Sequence, residues 1–389
     1  MNQTTLITTL LAGAVALPVS SVVAQDVTFE MIPGAESAND MSPDGRYVVG
    51  SRFNDLYRYD TVSGEMLILP PPAYDAVAVS DDGSVILGSM SDEQGVSVAA
   101  IWYEDTNEWT SLGYLDTCGS GSSAYELSGD GTVATGLSWN TCSGRGFYWT
   151  EETGMLELQG LANGNCRSSV MSADGTRFGG FAQGSFSRTP AIWDDTLAGE
   201  LLDPPNGDLL GEVHGMSDDG TQLLCEWDGD AAIVTDGGVE VLGMGSVYPG
   251  WTGIPMDIAD DGTVVGFDII QTLRIAWIQP QGMGMLQDLE VWIEANGGDV
   301  PDSIDLQVVQ AVSSNGRKLI GHGAFTGAWL VTIAGDCPAD TNDDGTVDVQ
   351  DLVNVITAWG TDDANADVNT DGIVDVQDLV AIITAWGSC

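Results

Sequence analysis

A short unit that recurs seven times constrains the fold of this chain more than any other feature. The unit reads Ser-x-Asp-Gly, then a few mostly apolar residues and a closing Gly, as in SPDGRYVVG. Its copies begin at Ser42, Ser80, Ser128, Ser172, Ser217, Ala259 and Ser313. The spacings of 38, 48, 44, 45, 42 and 54 residues give a period near 45 residues. A fixed period of this length is typical of repeat architectures, in which each copy is one structural unit.

Each copy contains the same succession of strand and turn signals. An apolar strand, such as residues 76–79, leads into Asp-Gly or Asn-Gly, which tolerate positive φ and favour a tight turn. A second strand follows, and a third strand usually ends in a tryptophan that we expect to pack between blades. These tryptophans are Trp102, Trp149, Trp193, Trp277 and Trp329. With a short fourth strand, such as residues 155–158, the seven copies predict a mainly β fold, a seven-bladed β-propeller.

The two ends of the repeat region predict how the ring of blades closes. Residues 27–32 form an extra strand before the first copy, and the seventh copy ends after its third strand, at residues 328–333. We therefore expect the N-terminal strand to complete the last blade, which removes two exposed sheet edges. Residues 286–295, in an insertion between the sixth and seventh copies, are expected to form a short helix.

The repeat resembles the HAF-type extracellular repeat proteins over roughly residues 27–335. The resemblance rests on the Ser-x-Asp-Gly turns, the closing Gly, the strand that ends in Trp and the insertion before the last copy. It implies an exported β-propeller without a settled activity.

The charge balance narrows the classes of partner. The chain has 58 Asp and Glu against 10 Lys and Arg, a formal net charge of −48. Binding to nucleic acid or to an anionic membrane surface needs clustered Lys and Arg, so both are excluded. The only two histidines, His214 and His322, leave little material for a histidine-based catalytic or zinc site.

The N-terminal segment predicts export. Residues 6–17 are an apolar run, and the small residues at 22–24 precede a cleavage point ahead of Gln25, so residues 1–24 read as a signal peptide. The run is too short to span a bilayer, and no later stretch is apolar enough. We therefore expect a mature chain that is secreted or displayed at the cell surface.

Export permits disulfides, and the chain has six cysteines with fifteen connectivities. Cys337 and Cys389 bracket the last 53 residues, so we expect a disulfide that ties the two ends of one small domain. At most one pair is expected among Cys118, Cys142 and Cys166. Cys225 lies in an apolar strand and is expected to be a free buried thiol.

The C-terminal residues 336–389 contain two calcium-loop patterns. Residues 340–351 read DTNDDGTVDVQD, and residues 367–378 read DVNTDGIVDVQD. Oxygen ligands at loop positions 1, 3, 5, 9 and 12, a carbonyl at position 7 and a Gly at position 6 are typical of Ca²⁺ loops. The predicted ligands of two Ca²⁺ ions are Asp340, Asn342, Asp344, Thr346, Asp348 and Asp351, then Asp367, Asn369, Asp371, Ile373, Asp375 and Asp378.

Each loop is followed by one short apolar helix, predicted to start at Leu352 and at Leu379. Two loop-helix units with Asp at position 12 resemble a type I dockerin, a small all-α domain. The resemblance implies that loop positions 10 and 11 and the early helix contact a cohesin-like protein or another cell-surface component. The residues at these positions are Val349, Gln350, Val353, Val376, Gln377 and Val380. Both halves share Val-Asp-Val-Gln-Asp-Leu-Val, so a partner could bind in either of two orientations.

Two function classes follow from these patterns. The first is a non-catalytic, secreted propeller scaffold, residues 25–335, with a calcium-dependent docking domain, residues 336–389. The alternative is a glycoside hydrolase, a polysaccharide lyase or a carbohydrate-binding component, which would place a glycan on the propeller. Candidate surface contacts for a glycan are Trp109, Trp139, Trp227 and Trp251.

Overall fold

The computed structural model describes most of the chain after Asp26. The described residues are 27–115, 121–140, 143–162, 164–183, 188–202, 210–227, 230–242, 247–248, 252–282, 284–334, 339–342, 346–361, 366–369 and 372–388. Within them the chain forms seven antiparallel sheets of four strands, one sheet of two strands and three helices. The seven sheets are the seven blades of a β-propeller, as the repeat predicts.

Each blade is built from four strands in chain order, except for the last blade. The blades are blade 1, β2 (Ser37–Met41), β3 (Tyr47–Arg52), β4 (Asp55–Asp60) and β5 (Met66–Ile68); blade 2, β6 (Ala73–Val79), β7 (Val85–Ser91), β8 (Ser97–Tyr103) and β9 (Glu108–Gly113); blade 3, β10 (Ser122–Leu127), β11 (Val133–Asn140), β12 (Ser143–Thr150) and β13 (Gly154–Glu157); blade 4, β14 (Cys166–Met171), β15 (Arg177–Gln183), β16 (Arg188–Asp194) and β17 (Gly199–Leu201); blade 5, β18 (Gly211–Met216), β19 (Leu223–Trp227), β20 (Asp230–Thr235) and β21 (Gly238–Val241); blade 6, β22 (Thr252–Ile258), β23 (Val264–Ile270), β24 (Leu273–Gln279) and β25 (Gln287–Asp288); and blade 7, β26 (Val308–Val312), β27 (Lys318–Gly323), β28 (Gly327–Ile333) and β1 (Val27–Met31).

The closure of the ring is confirmed. Strand β1 pairs with β28 along its whole length, with Val27 opposite Ile333 and Met31 opposite Trp329. The N-terminal strand thereby becomes the fourth strand of blade 7, and the first and last repeats share one sheet. No blade in the described ring is left with three strands, so each fourth strand protects its neighbour's backbone groups.

The Ser-x-Asp-Gly unit forms the turn between the first two strands of a blade. In blade 3 the Ser128 hydroxyl donates to Asp130 Oδ1 at 2.8 Å and accepts from the Val133 N–H at 2.9 Å. Gly131 has φ +72° and donates its N–H to the Ser128 carbonyl at 2.8 Å. Both bonds of the serine hydroxyl recur at Ser42, Ser80, Ser172, Ser217 and Ser313. Turn geometry therefore accounts for the Ser, the Asp and the Gly of the repeat.

The repeat tryptophans pack between blades, as predicted. Trp102 of blade 2 lies in one apolar cluster with Val49 and Leu56 of blade 1. Trp277 of blade 6 lies in another cluster with Leu224 and Ala231 of blade 5. All five repeat tryptophans are buried, so they supply the apolar area that holds neighbouring blades together.

The insertion before blade 7 contains helix α1 (Leu289–Ala295), which starts three residues later than predicted. Gln287 and Asp288 form the short fourth strand of blade 6, and the Asp288 side chain then caps the helix by accepting from the Val291 N–H. Trp292 and Ile293 on α1 are buried in the cluster that contains Val27 and Trp329. The insertion is therefore part of the seam where the ring closes.

The C-terminal residues form helices α2 (Val349–Thr357) and α3 (Val376–Thr384) and the two-stranded sheet of β29 (Thr346–Val347) and β30 (Gly387–Ser388). The prediction of a purely helical domain is wrong in this detail. Val347 of one half pairs with Gly387 after the helix of the other half, and the Gly360 N–H donates to the Val374 carbonyl in the matching place. The halves share a core of their own that includes Val347, Val374, Val355 and Ile382.

Among the three helices described, none is long and apolar enough to cross a membrane.

The turn glycines generate a test of how blades pack. A Cβ on Gly131 would lie 2.7 Å from Val85 Cγ2 of blade 2, whereas a Cβ on Gly154, which also has positive φ, would meet nothing within 4 Å. We expect Gly154→Ala to cost about 1 kcal/mol from left-handed backbone strain alone. Gly131→Ala adds overpacking, so we expect a total loss of about 2–4 kcal/mol by denaturant unfolding. Equal losses for the two variants would show that this contact does not constrain the blades.

Candidate functional site

The first strand of every blade carries a β-bulge at the same place. The register with the second strand shifts by one residue there, which leaves one residue unpaired at this place in each blade. Blade 2 has a second such shift, at Tyr74. A bulge bends the strand and re-aims its side chains. The unpaired residues are Asn39, Val77, Tyr125, Ser169, His214, Met256 and Gln310, one from each blade in order. All seven line one cavity of ≈ 610 Å³, which we call the central cavity.

Four acidic residues also line the central cavity, namely Asp75 of β6 and three that follow a bulge residue. Asp40, Glu126 and Asp257 follow the bulge residue of blades 1, 3 and 6. The lining residues in the described part of the chain include no Lys or Arg. The central cavity therefore concentrates negative charge inside the ring.

Two of these carboxylates join neighbouring blades. Asp40 Oδ2 accepts from the Val79 N–H of blade 2 at 2.9 Å. Asp257 Oδ2 accepts from the Val312 N–H of blade 7 at 2.9 Å, and its Oδ1 accepts from the Ile258 N–H at 2.8 Å. Within the described residues, the Glu126 carboxylate accepts only the Leu127 N–H, through Oε1 at 3.1 Å. Glu126 is thus the acid of the three with the smallest structural role.

Burial inside the ring raises the pKa values of the Asp40, Glu126 and Asp257 carboxyl groups. Burial raises the pKa of Asp40 and of Asp257 to about 7, and the backbone hydrogen bonds that they accept only partly offset this. Burial and the nearby Asp40 charge raise the pKa of Glu126 well above its ordinary value. Desolvation favours the neutral acid, and like charges add to the effect. The three groups therefore share a site in which full ionisation is unfavourable without a cation.

At the Ser-x-Asp-Gly turns, which follow the first strands, an incomplete ring of backbone hydrogen bonds joins neighbouring blades. The second residues of successive turns donate to each other, as from Asp81 to Gly129, from Gly129 to Ala173 and from Ser314 to Pro43. Inside this ring the Ser314 hydroxyl of blade 7 donates to the Asp218 carboxylate of blade 5. Burial raises the pKa of Asp218 to about 6. Away from the turns, the cavity wall includes Tyr74 near the start of β6, which is 54% exposed, so the cavity reaches solvent there.

The basic residues nearest to the cavity are already paired. Glu212, 3% exposed, contacts both Arg167 and Arg188. Arg167 also lies 4.8 Å from the ring centroid of Tyr125, one of the bulge residues. Glu212 offsets one of these two positive charges, and neither arginine lines the cavity. His214 Nε2 lies 3.7 Å from Glu226 Oε2.

The position-12 aspartates close the two C-terminal loops. Asp351 accepts from the Thr341 N–H at 2.7 Å and from the Asp348 N–H at 2.8 Å. Asp378 accepts from the Asn369 N–H at 3.1 Å and from the Asp375 N–H at 2.7 Å. Both carboxylates are fully buried, and each draws the start of its loop against the end.

The position-9 aspartates cap the helices. Asp348 accepts from the Gln350 N–H at 2.6 Å and Asp375 accepts from the Gln377 N–H at 2.8 Å, each as part of a capping box. The helices therefore start at Val349 and Val376, three residues before the predicted starts. Capping boxes of this kind satisfy the first free N–H groups of a helix.

The other predicted ligands are placed in part. In the second loop the Gly372 N–H donates to Asp367 Oδ2 at 2.8 Å, across the sharp bend at position 6. Asp340, Asn342 and Asn369 lie in the described loop segments, as do the backbones of Thr346 and Ile373, whereas Asp344 and Asp371 lie outside the described residues. Within the described residues no three His, Cys, Asp or Glu side chains converge on one point. The loops fit Ca²⁺ in donor type and closure, and ion binding stays a prediction.

The predicted partner residues lie on exposed helix faces. Val349, Val353, Val376 and Val380 are each 44–60% exposed, and Gln350 and Gln377 are also exposed. The structure adds four exposed apolar residues that the sequence pattern missed, and their signal is a spacing of 27 residues. They are Ile356, Trp359, Ile383 and Trp386, 49–58% exposed. We call Val349, Val353, Ile356 and Trp359 the α2 face, and Val376, Val380, Ile383 and Trp386 the α3 face.

The predictions for cysteines and surface aromatics are resolved in part. Cys225 is a free buried thiol, as predicted, and burial raises its pKa to about 12. Cys166 is also free, while Cys118, Cys142, Cys337 and Cys389 lie outside the described residues, as does Trp251.

Trp109, Trp139 and Trp227 are half-buried. Trp109 donates its Nε1–H to the Pro70 carbonyl, so its polar atom serves the fold.

Comparison with known proteins supports the fold alone. No protein-family model and no curated protein matches the chain. An oligogalacturonate lyase structure from Vibrio parahaemolyticus is 12% identical with a TM-score of 0.52, over 79% of this chain and 97% of that one. A virginiamycin B lyase structure from Staphylococcus aureus is 11% identical with a TM-score of 0.52, over 80% of this chain and 100% of that one. A TolB structure from Acinetobacter baumannii matches at 15% identity and a TM-score of 0.40, and this chain covers 53% of its length.

The raised pKa values predict how stability depends on pH. A carboxyl group whose pKa is higher in the folded state stabilises the fold while it is protonated, and this contribution is lost as pH rises. For Asp40 and Asp257 the loss runs from the ordinary value of 3.8 to about 7. Glu126→Gln removes a negative charge near Asp40 and Asp257 and keeps an oxygen that can accept from the Leu127 N–H. We therefore expect a smaller fall in melting temperature from about pH 5 to about pH 8 than in the parent chain.

Glu152→Gln is the matched control, because Glu152 lies exposed in a turn of the same blade. Burial lowers the pKa of His322, which has the opposite effect on stability below its ordinary value of 6.5, but that effect is common to all three proteins. Identical pH profiles for Glu126→Gln and the parent chain would refute the electrostatic account of the cavity.

Proposed function

We propose that this chain is an exported propeller protein whose C-terminal module binds Ca²⁺ and docks on an extracellular or cell-surface partner. The carrying observation is the pair of exposed apolar faces on α2 and α3, repeated at an interval of 27 residues. The resemblance of the two loop-helix units to a type I dockerin supports a cohesin-like partner. The propeller would be the cargo that the module presents.

The α2 and α3 faces are too apolar for helices with no partner. Each helix has nine residues, and three of them are large apolar side chains that stay exposed, followed by an exposed tryptophan two residues beyond the helix end. The opposite sides of the helices already fill the module's core through Val355 and Ile382. Exposed apolar residues that line up on one side of a helix are typical of a protein interface, where aromatic anchors contribute most of the binding energy.

Calcium is the ion that best suits the loops. Residues 336–389 contain twelve Asp and no Glu, Lys or Arg, so the module has a formal charge of −12. Hard oxygen donors at these loop positions are the ligands that Ca²⁺ prefers. Helices of nine residues are too short to be stable alone, so their order depends on the loops and the small core.

A calcium titration of the full chain tests the first half of the proposal. We expect two bound ions by calorimetry, one after either Asp340→Ala or Asp367→Ala, and none after both. Hydrogen exchange in α2 and α3 should slow on Ca²⁺ addition, because ligand binding stabilises the folded module. Asp302→Ala changes an exposed acid of the propeller and should leave both ions bound. Binding of no ion by the parent chain would refute a calcium module.

The two apolar faces generate a second test. With the chain in excess Ca²⁺ over an immobilised type I cohesin, we expect Val353→Asp or Val380→Asp alone to leave binding through the other face. The double variant should lose binding by about 100-fold or more, because a buried unpaired charge replaces an apolar contact on both faces. Val62→Asp is the control, since Val62 is a valine of the propeller that is 50% exposed. Equal binding by the double variant and the parent chain would exclude these faces.

A further inference from the structure

The central cavity has the shape of a ligand site that the docking function does not use. Its volume of ≈ 610 Å³ falls within the usual range of small-molecule pockets, about 300–1,000 Å³. Every blade contributes one bulge residue to its wall, so the ring fold itself holds the lining in place. The Ser314–Asp218 bond joins two blades at the turns, and the Tyr74 end of the cavity reaches solvent. A ligand would therefore enter from the Tyr74 end.

The charge of the lining selects a cation. Asp40, Asp75, Glu126 and Asp257 all line the cavity, and His214 is the only basic residue among the lining residues. Desolvated carboxylates of like charge are unfavourable unless an opposite charge lies between them. A cationic ligand would supply that charge where the fold does not.

The distribution of the acids distinguishes a small ion from an extended molecule. Asp40, Glu126 and Asp257 come from blades 1, 3 and 6, on different sides of the ring. In the described residues no three acidic or histidine side chains meet at one point, as a single metal ion would require. Separate acids on the wall of one cavity suit a ligand with several separated positive charges.

The wall between the acids carries aliphatic side chains among serine, asparagine and glutamine side chains. Val77, Val170, Met256 and Ala311 line the cavity beside the acidic positions. Aliphatic side chains favour methylene groups, which lose water on contacting them. Charged nitrogen atoms joined by short methylene chains match a wall that carries both carboxylates and aliphatic side chains.

We propose that the central cavity binds an aliphatic polyamine, with ammonium groups paired to Asp40, Glu126 and Asp257 and methylene groups against the aliphatic side chains of the wall. The polyamine enters past Tyr74 and stops at the Ser314–Asp218 bond. The site belongs to the propeller and does not depend on the C-terminal loops.

Spermidine is the probe that tests this site. We would measure its binding to the full chain by calorimetry in saturating Ca²⁺, at about 0.15 M salt to screen the general surface charge, and near pH 8. We expect one spermidine per chain. Glu126→Gln should weaken binding by about tenfold, the effect of losing one charge-assisted hydrogen bond. Glu152→Gln, in an exposed turn of the same blade, should bind as the parent chain does.

A second variant distinguishes spermidine binding in the cavity from binding to the acidic surface of the protein. Val77→Trp adds bulk to the cavity wall without changing the net charge, so it should abolish spermidine binding and leave Ca²⁺ binding intact. n-Butylamine, with one ammonium group, should bind at least tenfold more weakly than spermidine because it can pair with only one acid. Unchanged melting temperatures for the variants would show that the losses do not arise from unfolding, and Asp40→Asn replaces any variant that fails to fold.

Three results would overturn the proposal. They are no spermidine binding by the parent chain, the same affinity in Glu126→Gln and Glu152→Gln, or unchanged binding in Val77→Trp. Each would mean that spermidine is held by the acidic surface or not at all.

Discussion

The close approach between blades at the Ser-x-Asp-Gly turn is the constraint on which the rest of the structure depends. Gly131 needs positive φ to make the turn, and it lies where a side chain would collide with Val85 of the preceding blade. The residue before the Asp, such as Gly129, joins its neighbours through backbone bonds. Because the same four residues form the turn and the contact, each copy of the repeat sets both the shape of a blade and its distance from the next.

Because the turn residues set the shape and spacing of the blades, the bulge residue and the residue after it can differ from blade to blade. At the second of these positions blades 1, 3 and 6 carry an acid, whereas blades 2, 4 and 7 carry Ala78, Val170 and Ala311. Asp40 also compensates for a gap in the backbone ring. Pro43 has no N–H to donate to blade 2, and the Asp40 carboxylate joins the same two blades by accepting from Val79. A cavity acid can therefore serve both the fold and a ligand.

The sequence predicts much of this fold because the repeat consists of turn residues, and the shape of a turn depends on only a few neighbouring residues. Turn residues at a fixed period predict seven blades, and the unfinished seventh copy predicts closure by β1. The sequence predicts both helices to start three residues too late, because it assigns Asp348 and Asp375 only to the metal. The structure shows that these two residues also cap the helices that start at Val349 and Val376. The central cavity was missed altogether. Asp40, Glu126 and Asp257 lie two residues before the first position of their repeats. The sequence shows this common position, but the structure is needed to show that the bulge beside it directs the three side chains into one cavity.

In the C-terminal module the two repeats are joined in a different way from the blades. Blades contact each other through turns, and each blade except the last contains all of its own strands. In the module each half bonds to the backbone of the other, since Val347 pairs with Gly387 and the Gly360 N–H donates to the Val374 carbonyl. Under the proposed Ca²⁺ binding, ordering of one loop therefore also fixes the chain segment that follows the other half's helix, and this segment contains Trp359 or Trp386. The α2 face and the α3 face are coupled in this way through the backbone, so the ordering of one loop reaches the tryptophan of the opposite face.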